Sequence, residues 1–230
     1  MQNKQSRLLI WVTSDCNLAC PLCSQEYTKK AFPGYHMSFL EILQVTRSLK
    51  NRGIRFDVIE LTGGEPSLWS NLKVGVQLFS EVCDVVTMVT NGNEPDKVLR
   101  LGLPYIIVIS SQASPEQLAE YKKAKGIKIA YNTHEHKPLP VKRVNDPLPA
   151  QCCVRKDCFG KEQTSLLYLA GTVYSCCNAF AISEKTGLSD SIACDFESNF
   201  FYLQEKDYNN PICAYCICNS KVWNQIGDQI

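Results

Sequence analysis

Over the first 135 residues, short apolar runs rich in β-branched side chains return at regular intervals: Leu8–Val12, Val58–Leu61, Val85–Val89, Ile106–Ile109 and Ile127–Tyr131. Runs of this length and composition predict buried strands. Between them the apolar positions follow a helical period. Ser38 predicts an N-cap with Glu41 completing a capping box, and opens a helix over Phe39–Asn51. Its apolar positions are Leu40, Leu43 and the set Ile42, Thr46 and Leu49, and Gly53 ends it. Ser114-Pro115-Glu116 predicts a second helix start, with proline at the first helical position. A lysine-rich last turn and Gly126 close that helix.

Strands alternating with helices imply a parallel sheet with right-handed crossovers. A closed eight-stranded barrel takes roughly 250 residues, and only about 135 are patterned this way. The predicted fold is therefore α/β: a partial parallel (β/α) TIM-type barrel of five to six strands over residues 1–148. A small cysteine-rich C-terminal extension follows over 149–230. Between them 136–149 (HKPLPVKRVNDPLP) carries four prolines and no strong period, and reads as a linker. The extension opens with an expected hairpin, Ser165–Leu169 and Thr172–Cys177, around Ala170-Gly171. It has few apolar residues, so a metal cluster would supply cross-links its core lacks.

Composition narrows the function. The 230 residues are 45% hydrophobic with a net charge of +1, which fits a globular protein and gives no broad electrostatic footprint for nucleic acid. No segment is long and apolar enough to span a bilayer, and the apolar stretch at the start runs straight into a cysteine loop, unlike a signal peptide. A cytoplasmic chain, with reduced thiols, is expected. Four of the 13 cysteines lie in the first 150 residues and nine in the last 80. The odd count and the tight C-x-x-C groups favour metal ligation over disulfides. Cys83, at an apolar helix-to-strand junction, reads as core.

The most informative group is Cys16-Asn-Leu-Ala-Cys20-Pro-Leu-Cys23. Three thiolates on one tight loop can hold three corners of an iron–sulfur cube and leave one iron open, where closed sites use four cysteines. A zinc site with a distant fourth ligand is the other reading. Every predicted strand also ends in something polar or glycine-rich, at the edge where parallel barrels collect reactive groups. These ends are the cysteine loop, Thr62-Gly63-Gly64-Glu65-Pro66, Thr90-Asn91-Gly92, Ser110-Ser111-Gln112 and Asn132-Thr133-His134.

Taken together, the three-cysteine loop and the Gly63-Gly64-Glu65-Pro66 motif about forty residues on resemble the radical S-adenosylmethionine (radical SAM) enzymes. The resemblance implies a 4Fe–4S cluster on Cys16, Cys20 and Cys23 whose open iron chelates SAM. It implies that Gly63, Gly64, Glu65 and Pro66 meet the amino group of SAM, with Glu65 as the negative partner. Leu22, Asn91, Ser110 and Ser111 are further expected SAM contacts. Cys158, twelve residues, Gly171, four residues and Cys176 resemble the opening of the SPASM and twitch extensions. With Cys213 and Cys216, these cysteines would bind an auxiliary 4Fe–4S cluster in the shorter twitch form. Cys218 is an alternative to Cys216, and Cys152 or Cys153 to Cys158; zinc is the other occupant.

What such an enzyme would do is left open among three readings. The first is hydrogen abstraction from a sugar-like or other small polar metabolite, giving net oxidation or epimerisation, as in the similar dehydrogenase of butirosin biosynthesis. The second is a peptide-modifying enzyme, and the third a non-catalytic electron-transfer or partner protein. The first two require an external one-electron donor such as flavodoxin or ferredoxin. Candidate catalytic groups are His134, Cys177 and Cys194. His134 and His136 flank Glu135 at the head of the linker, where ordinary surface histidines are also common.

Overall fold

The structure is a computed structural model and describes residues 5–20, 23, 25–109, 112–132, 163–176, 178–190 and 193–198. Their backbone falls into two compact units. One comprises 7–19 and 32–135. The other gathers 1–6, 20–31 and 136–230, so the segment from Cys20 to Ala31 groups with the C-terminal part of the chain. Among the described residues no helix is long and apolar enough to cross a membrane.

Five strands run through the larger unit, β1 (Gln5–Thr13), which enters it at Arg7, β2 (Phe56–Gly63), β3 (Cys83–Thr90), β4 (Tyr105–Ile109) and β5 (Lys128–Asn132). They lie side by side in the order β5-β4-β3-β2-β1, each pair parallel. Every strand expected from the apolar runs is present. This is the partial parallel barrel that the β-α alternation implies. Leu8, Ile10 and Val12 of β1, Ile59 and Leu61 of β2, Met88 of β3, and Ile106 and Val108 of β4 are fully buried on one face. Ile42 and Leu49 of α2 (Phe39–Asn51), Phe79 of α3 (Leu72–Phe79), Val98 of α4 (Pro95–Leu99) and Tyr121 of α5 (Pro115–Lys123) are buried with them. Each such side chain removed from water contributes about 1.5–3 kcal/mol, which is what holds helices to sheet.

Local chemistry explains the helix ends. Ser38 accepts from Glu41 N at 3.2 Å, the expected N-cap, but the Glu41 carboxylate takes the Tyr35 hydroxyl at 2.8 Å. In α5 both halves of the capping box form, between Ser114 and Gln117. The buried face of α2 is Ile42, Val45, Thr46 and Leu49, while Leu40 stands 69% exposed, against expectation. Two positions before Ile42 on a helix is about 200° around the axis, so Leu40 faces away from the sheet.

One irregularity bears on the site. Along β1 the register runs Trp11 to Thr62 and then Thr13 to Gly63, so one extra residue is accommodated on β1. A second close approach supports the other end of the motif region. A Cβ on Gly75 of α3 would lie 2.4 Å from the Trp69 ring, whose Nε1 donates to Met37 O at 2.8 Å.

In the second unit, α1 (Glu26–Ala31) packs with α6 (Ala179–Thr186). Cys176, Ala179, Ala181 and Ile182 form an apolar cluster flanked by Tyr27, Tyr174 and Leu188. The expected hairpin exists as β6 (Gln163–Leu169) and β7 (Thr172–Tyr174), antiparallel, with β8 (Cys194–Asp195) beside β7. Ala170 and Gly171 both take positive φ, 47° and 87°, and Leu169 pairs with Thr172, the geometry of a two-residue type I′ turn. β7 ends at Tyr174, short of the expected Cys177. The Asp190 carboxylate takes both the backbone N–H and the hydroxyl of Ser175 at 3.0 Å, which diverts the chain from the ladder.

Candidate functional site

The site is built from the loops that leave β1, β2 and β3 at their C-terminal ends. After Thr13, the chain turns into Ser14, Asp15 and Cys16. After Gly63 it crosses this turn with backbone against backbone. Gly64 N donates to Thr13 O and Glu65 N to Asp15 O, each at 2.7 Å. A Cβ on Gly63 would lie 2.3 Å from Thr13 O, and one on Gly64 would lie 2.1 Å from Asp15 O. Neither position has room for any side chain, and Gly63 has a φ of 149° as well. The glycine pair thus admits the start of the cysteine loop, and the Gly64 and Glu65 amide hydrogens are used by the carbonyls of Thr13 and Asp15.

Glu65 is 1% exposed and its carboxylate accepts three hydrogen bonds. Oε1 takes Ser67 N and Thr90 Oγ1, each at 2.9 Å, and Oε2 takes Asn91 N at 2.7 Å. All three donors are neutral, and a carboxylate has about four acceptor positions, so one remains. Pro66 opens a 3-10 turn, Pro66–Leu68, that Glu65 caps. Because Thr90 and Asn91 end β3, this one side chain ties the β2 and β3 loops together. Burial first, and then the Glu65 charge, raise the pKa of the nearby Tyr121 phenol, which stays protonated.

Asn91 is buried and adds a third tie. Its Nδ2 donates to Asn17 Oδ1 at 2.7 Å, and its Oδ1 accepts Asn93 N at 3.0 Å. Asn17 directly follows Cys16, so the cysteine loop is held from β2 by backbone and from β3 by a side-chain amide. Gly92 has a φ of 81°, and a Cβ there would lie 2.8 Å from Ala113 Cβ. A turn this close to the next loop requires glycine.

A further cluster lies at the root of the loop and involves His36, which sequence patterns did not single out. Its Nδ1 is 3.0 Å from Thr13 Oγ1 and its Nε2 3.0 Å from Asp15 Oδ2. Asp15 N donates to Thr13 Oγ1 at 3.1 Å. Contact across twenty-odd positions leaves no local signal in the sequence.

On the sheet face opposite the helices, Arg7 of β1 and Glu60 of β2 form an ion pair, with Glu60 buried. Thr87 of β3 donates to Tyr105 O at 2.8 Å. That face is therefore more polar than the helix-covered one.

Cys16, Cys20 and Cys23 form no disulfide and are of intermediate exposure. Cys23 N donates to Cys20 O at 3.2 Å and Glu26 N to Cys23 O at 3.1 Å, a turn that leads into α1. Among the described residues no group of three or more histidine, cysteine or carboxylate side chains is already gathered for a metal ion. Cys176 forms no disulfide and is buried beside Ala179 and Ile182, and Cys194 forms none and is half-buried on β8, opposite Val173. Cys83 is buried core, its thiol pKa pushed up to about 11 chiefly by burial. Leu22, Ser110, Ser111, His134, His136, Cys152, Cys153, Cys158, Cys177, Cys213, Cys216 and Cys218, with the linker 136–149, lie outside the described residues.

Two solved structures of BtrN are similar in fold. BtrN in complex with AdoMet and 2-DOIA is 20% identical, with a TM-score of 0.53 over 78% of this chain and 76% of that one. A selenomethionine form of BtrN in an open conformation is 18% identical, with a TM-score of 0.56 over 94% of each chain. Streptococcus suis SuiB bound to precursor peptide SuiA is 12% identical, with a TM-score of 0.47 over 91% of this chain and 66% of that one. A comparison with curated proteins found no match. The family model of the radical SAM superfamily matches residues 10–142, a span that takes in the end of β1, the whole of β2 to β5, the cysteine loop and the glycine crossing. With that match over more than half its length, the chain belongs to the radical SAM superfamily.

Proposed function

We infer that this chain is a radical SAM enzyme acting on a sugar-like or other small polar metabolite, by net oxidation or epimerisation. The observation that carries the reading is the junction of the cysteine loop with Gly63-Gly64-Glu65 and Asn91 at one edge of the sheet. Family membership implies a 4Fe–4S cluster and SAM. The residues fit both: three soft thiols outside any disulfide suit an iron–sulfur cluster, and a buried carboxylate with an acceptor position left suits an ammonium group. When bound, these cofactors supply reductive cleavage of SAM and a 5′-deoxyadenosyl radical that abstracts hydrogen.

The chain's own part is positioning. Cys16, Cys20 and Cys23 hold the cluster. Glu65 accepts from the SAM amino group while its other acceptor positions keep the β2 and β3 loops in place. Leu22, Ser110 and Ser111 add SAM contacts. Cys158, Cys176, Cys213 and Cys216 would hold an auxiliary 4Fe–4S cluster, which would supply an electron acceptor for an oxidation. Two features support the small polar substrate: the Arg7–Glu60 pair on the sheet face opposite the helices, and a fold like BtrN's, a protein solved with AdoMet and 2-DOIA. The first electron comes from an external donor such as flavodoxin or ferredoxin.

The test is anaerobic reconstitution followed by iron analysis and SAM cleavage. Two clusters give roughly eight irons per chain. The Cys16→Ala/Cys20→Ala/Cys23→Ala variant keeps about half of that iron and forms no 5′-deoxyadenosine. Replacing Cys158 and Cys176 abolishes product while slow uncoupled SAM cleavage persists. Roughly four irons in the unmutated protein would refute the auxiliary cluster. Turnover of precursor peptides but not of aminocyclitols would replace the substrate reading by the peptide-modifying one.

A further inference from the structure

We propose that His36 is a positioning residue for the SAM-binding cluster, acting through a closed ring of hydrogen bonds at the root of the cysteine loop. The inference rests on the reading that Cys16 is a cluster ligand. It is independent of the substrate.

The segment carrying His36 runs against the end of β1, with Met37 N donating to Val12 O at 2.9 Å and Ser14 N to Tyr35 O at 2.8 Å. Thr13 and His36 face each other as an antiparallel bridge. One proton arrangement satisfies every group there. Asp15 N–H donates to Thr13 Oγ1, the Thr13 hydroxyl donates to His36 Nδ1, and His36 Nε2–H donates to the Asp15 carboxylate. The ring closes on Asp15 through both its backbone and its side chain.

The same residues receive the glycine motif. Thr13 O accepts Gly64 N–H and Asp15 O accepts Glu65 N–H, each at 2.7 Å. Asp15 is therefore gripped by the glycine motif at its carbonyl and by the ring at its amide and carboxylate, and Cys16 is the next residue. Rotation about the Asp15 backbone would move Cys16 and Glu65 relative to each other. The imidazole, a rigid body with nitrogens on two edges, blocks that rotation.

Burial separates this role from a purely structural one. The His36 and Asp15 side chains are 37% and 52% exposed, and hydrogen bonds in water contribute little to folding. The strand, the glycine crossing and the Met37 carbonyl with its two donors remain when the imidazole is removed. The ring supplies orientation more than stability.

The test uses the reconstituted full-length protein and compares His36→Ala, His36→Gln and Asp15→Ala. His36→Ala should keep its iron content and melting temperature and bind SAM about three- to tenfold more weakly. The change that SAM produces in the electron paramagnetic resonance signal of the reduced cluster should become smaller or heterogeneous. His36→Gln, whose amide can still donate to Asp15, should recover part of both. The His36→Ala/Asp15→Ala double variant should be no worse than either single one, because one ring is broken once. Unchanged SAM affinity and an unchanged signal in His36→Ala would overturn the proposal. So would equal loss of iron and melting temperature in His36→Ala and His36→Gln, which would make the residue structural. An unmutated protein whose cluster signal ignores SAM would instead overturn the ligand assignment of Cys16, and the proposal with it.

Discussion

Replacing Glu65 by glutamine tests the centre of the site with the smallest change in shape. The carboxylate accepts from Ser67 N and Thr90 Oγ1 through Oε1 and from Asn91 N through Oε2. A glutamine can match only one side. With its oxygen on Ser67 and Thr90, its NH₂ faces the Asn91 N–H, donor against donor, in a place with 1% exposure. A buried unsatisfied donor costs about 1–3 kcal/mol, and the two surviving bonds lose their charge assistance, about 1 kcal/mol each. Relief from burying a charge offsets part of this, leaving a net destabilisation of about 1–3 kcal/mol. At about 2–4 °C per kcal/mol for a chain of this size, the melting temperature should fall by about 2–12 °C. An anaerobic circular dichroism melt measures that. SAM affinity, by equilibrium dialysis on reconstituted protein, should drop roughly ten- to hundredfold, the equivalent of a lost charge-assisted hydrogen bond. A variant that melts within about 1 °C of the parent and binds SAM equally well would show that the carboxylate neither ties the loops nor meets the ligand.

Two other outcomes follow from the same geometry. Gly64→Ala puts a methyl group 2.1 Å from the Asp15 carbonyl oxygen, so the crossing must open. SAM binding should fall below detection while the far-ultraviolet circular dichroism stays near that of the parent, and full binding would refute the close approach. In the alkaline range, burial raises the folded pKa values of Cys83, to about 11, and of Tyr121. The unfolded chain loses these protons first, so stability is full below about pH 9 and declines toward pH 11. The urea midpoint should fall between pH 8 and about pH 10.5, less steeply in Cys83→Val, and a flat midpoint would contradict it.

The elements were legible in the sequence because their information is local. Each of the five strands is announced by its own apolar run, and α2 and α5 by Ser38 and Ser114. The cysteine loop and the glycine motif were also legible, since spacing along the chain carries their chemistry. What was not legible depends on register between distant segments. The Glu65 partners at Thr90 and Asn91 lie 25 and 26 positions away, and nothing in either segment advertises the other. His36 meets Asp15 only because 32–38 happens to run beside the end of β1. The early end of β7 comes from Asp190, fifteen positions beyond Ser175. Leu40 was assigned to an apolar face because it is leucine, although its angle on the helix places it outside.

The extra residue in β1 has a consequence for how this region can vary. In an uninterrupted ladder Thr13 would fall opposite Gly64; with the bulge it falls opposite Gly63. That offset of one residue brings the carbonyls of Thr13 and Asp15 under the amides of Gly64 and Glu65. It works like a vernier between two scales, aligning the exit of one strand with the exit of its neighbour. Deleting a single residue between Leu9 and Thr13 would restore a more regular strand and yet draw Cys16 back by one position. A gain in strand regularity there would be a loss in alignment. The interval from strand to first cysteine is thus counted by the neighbouring backbone, and length changes are better tolerated away from this exit than before it.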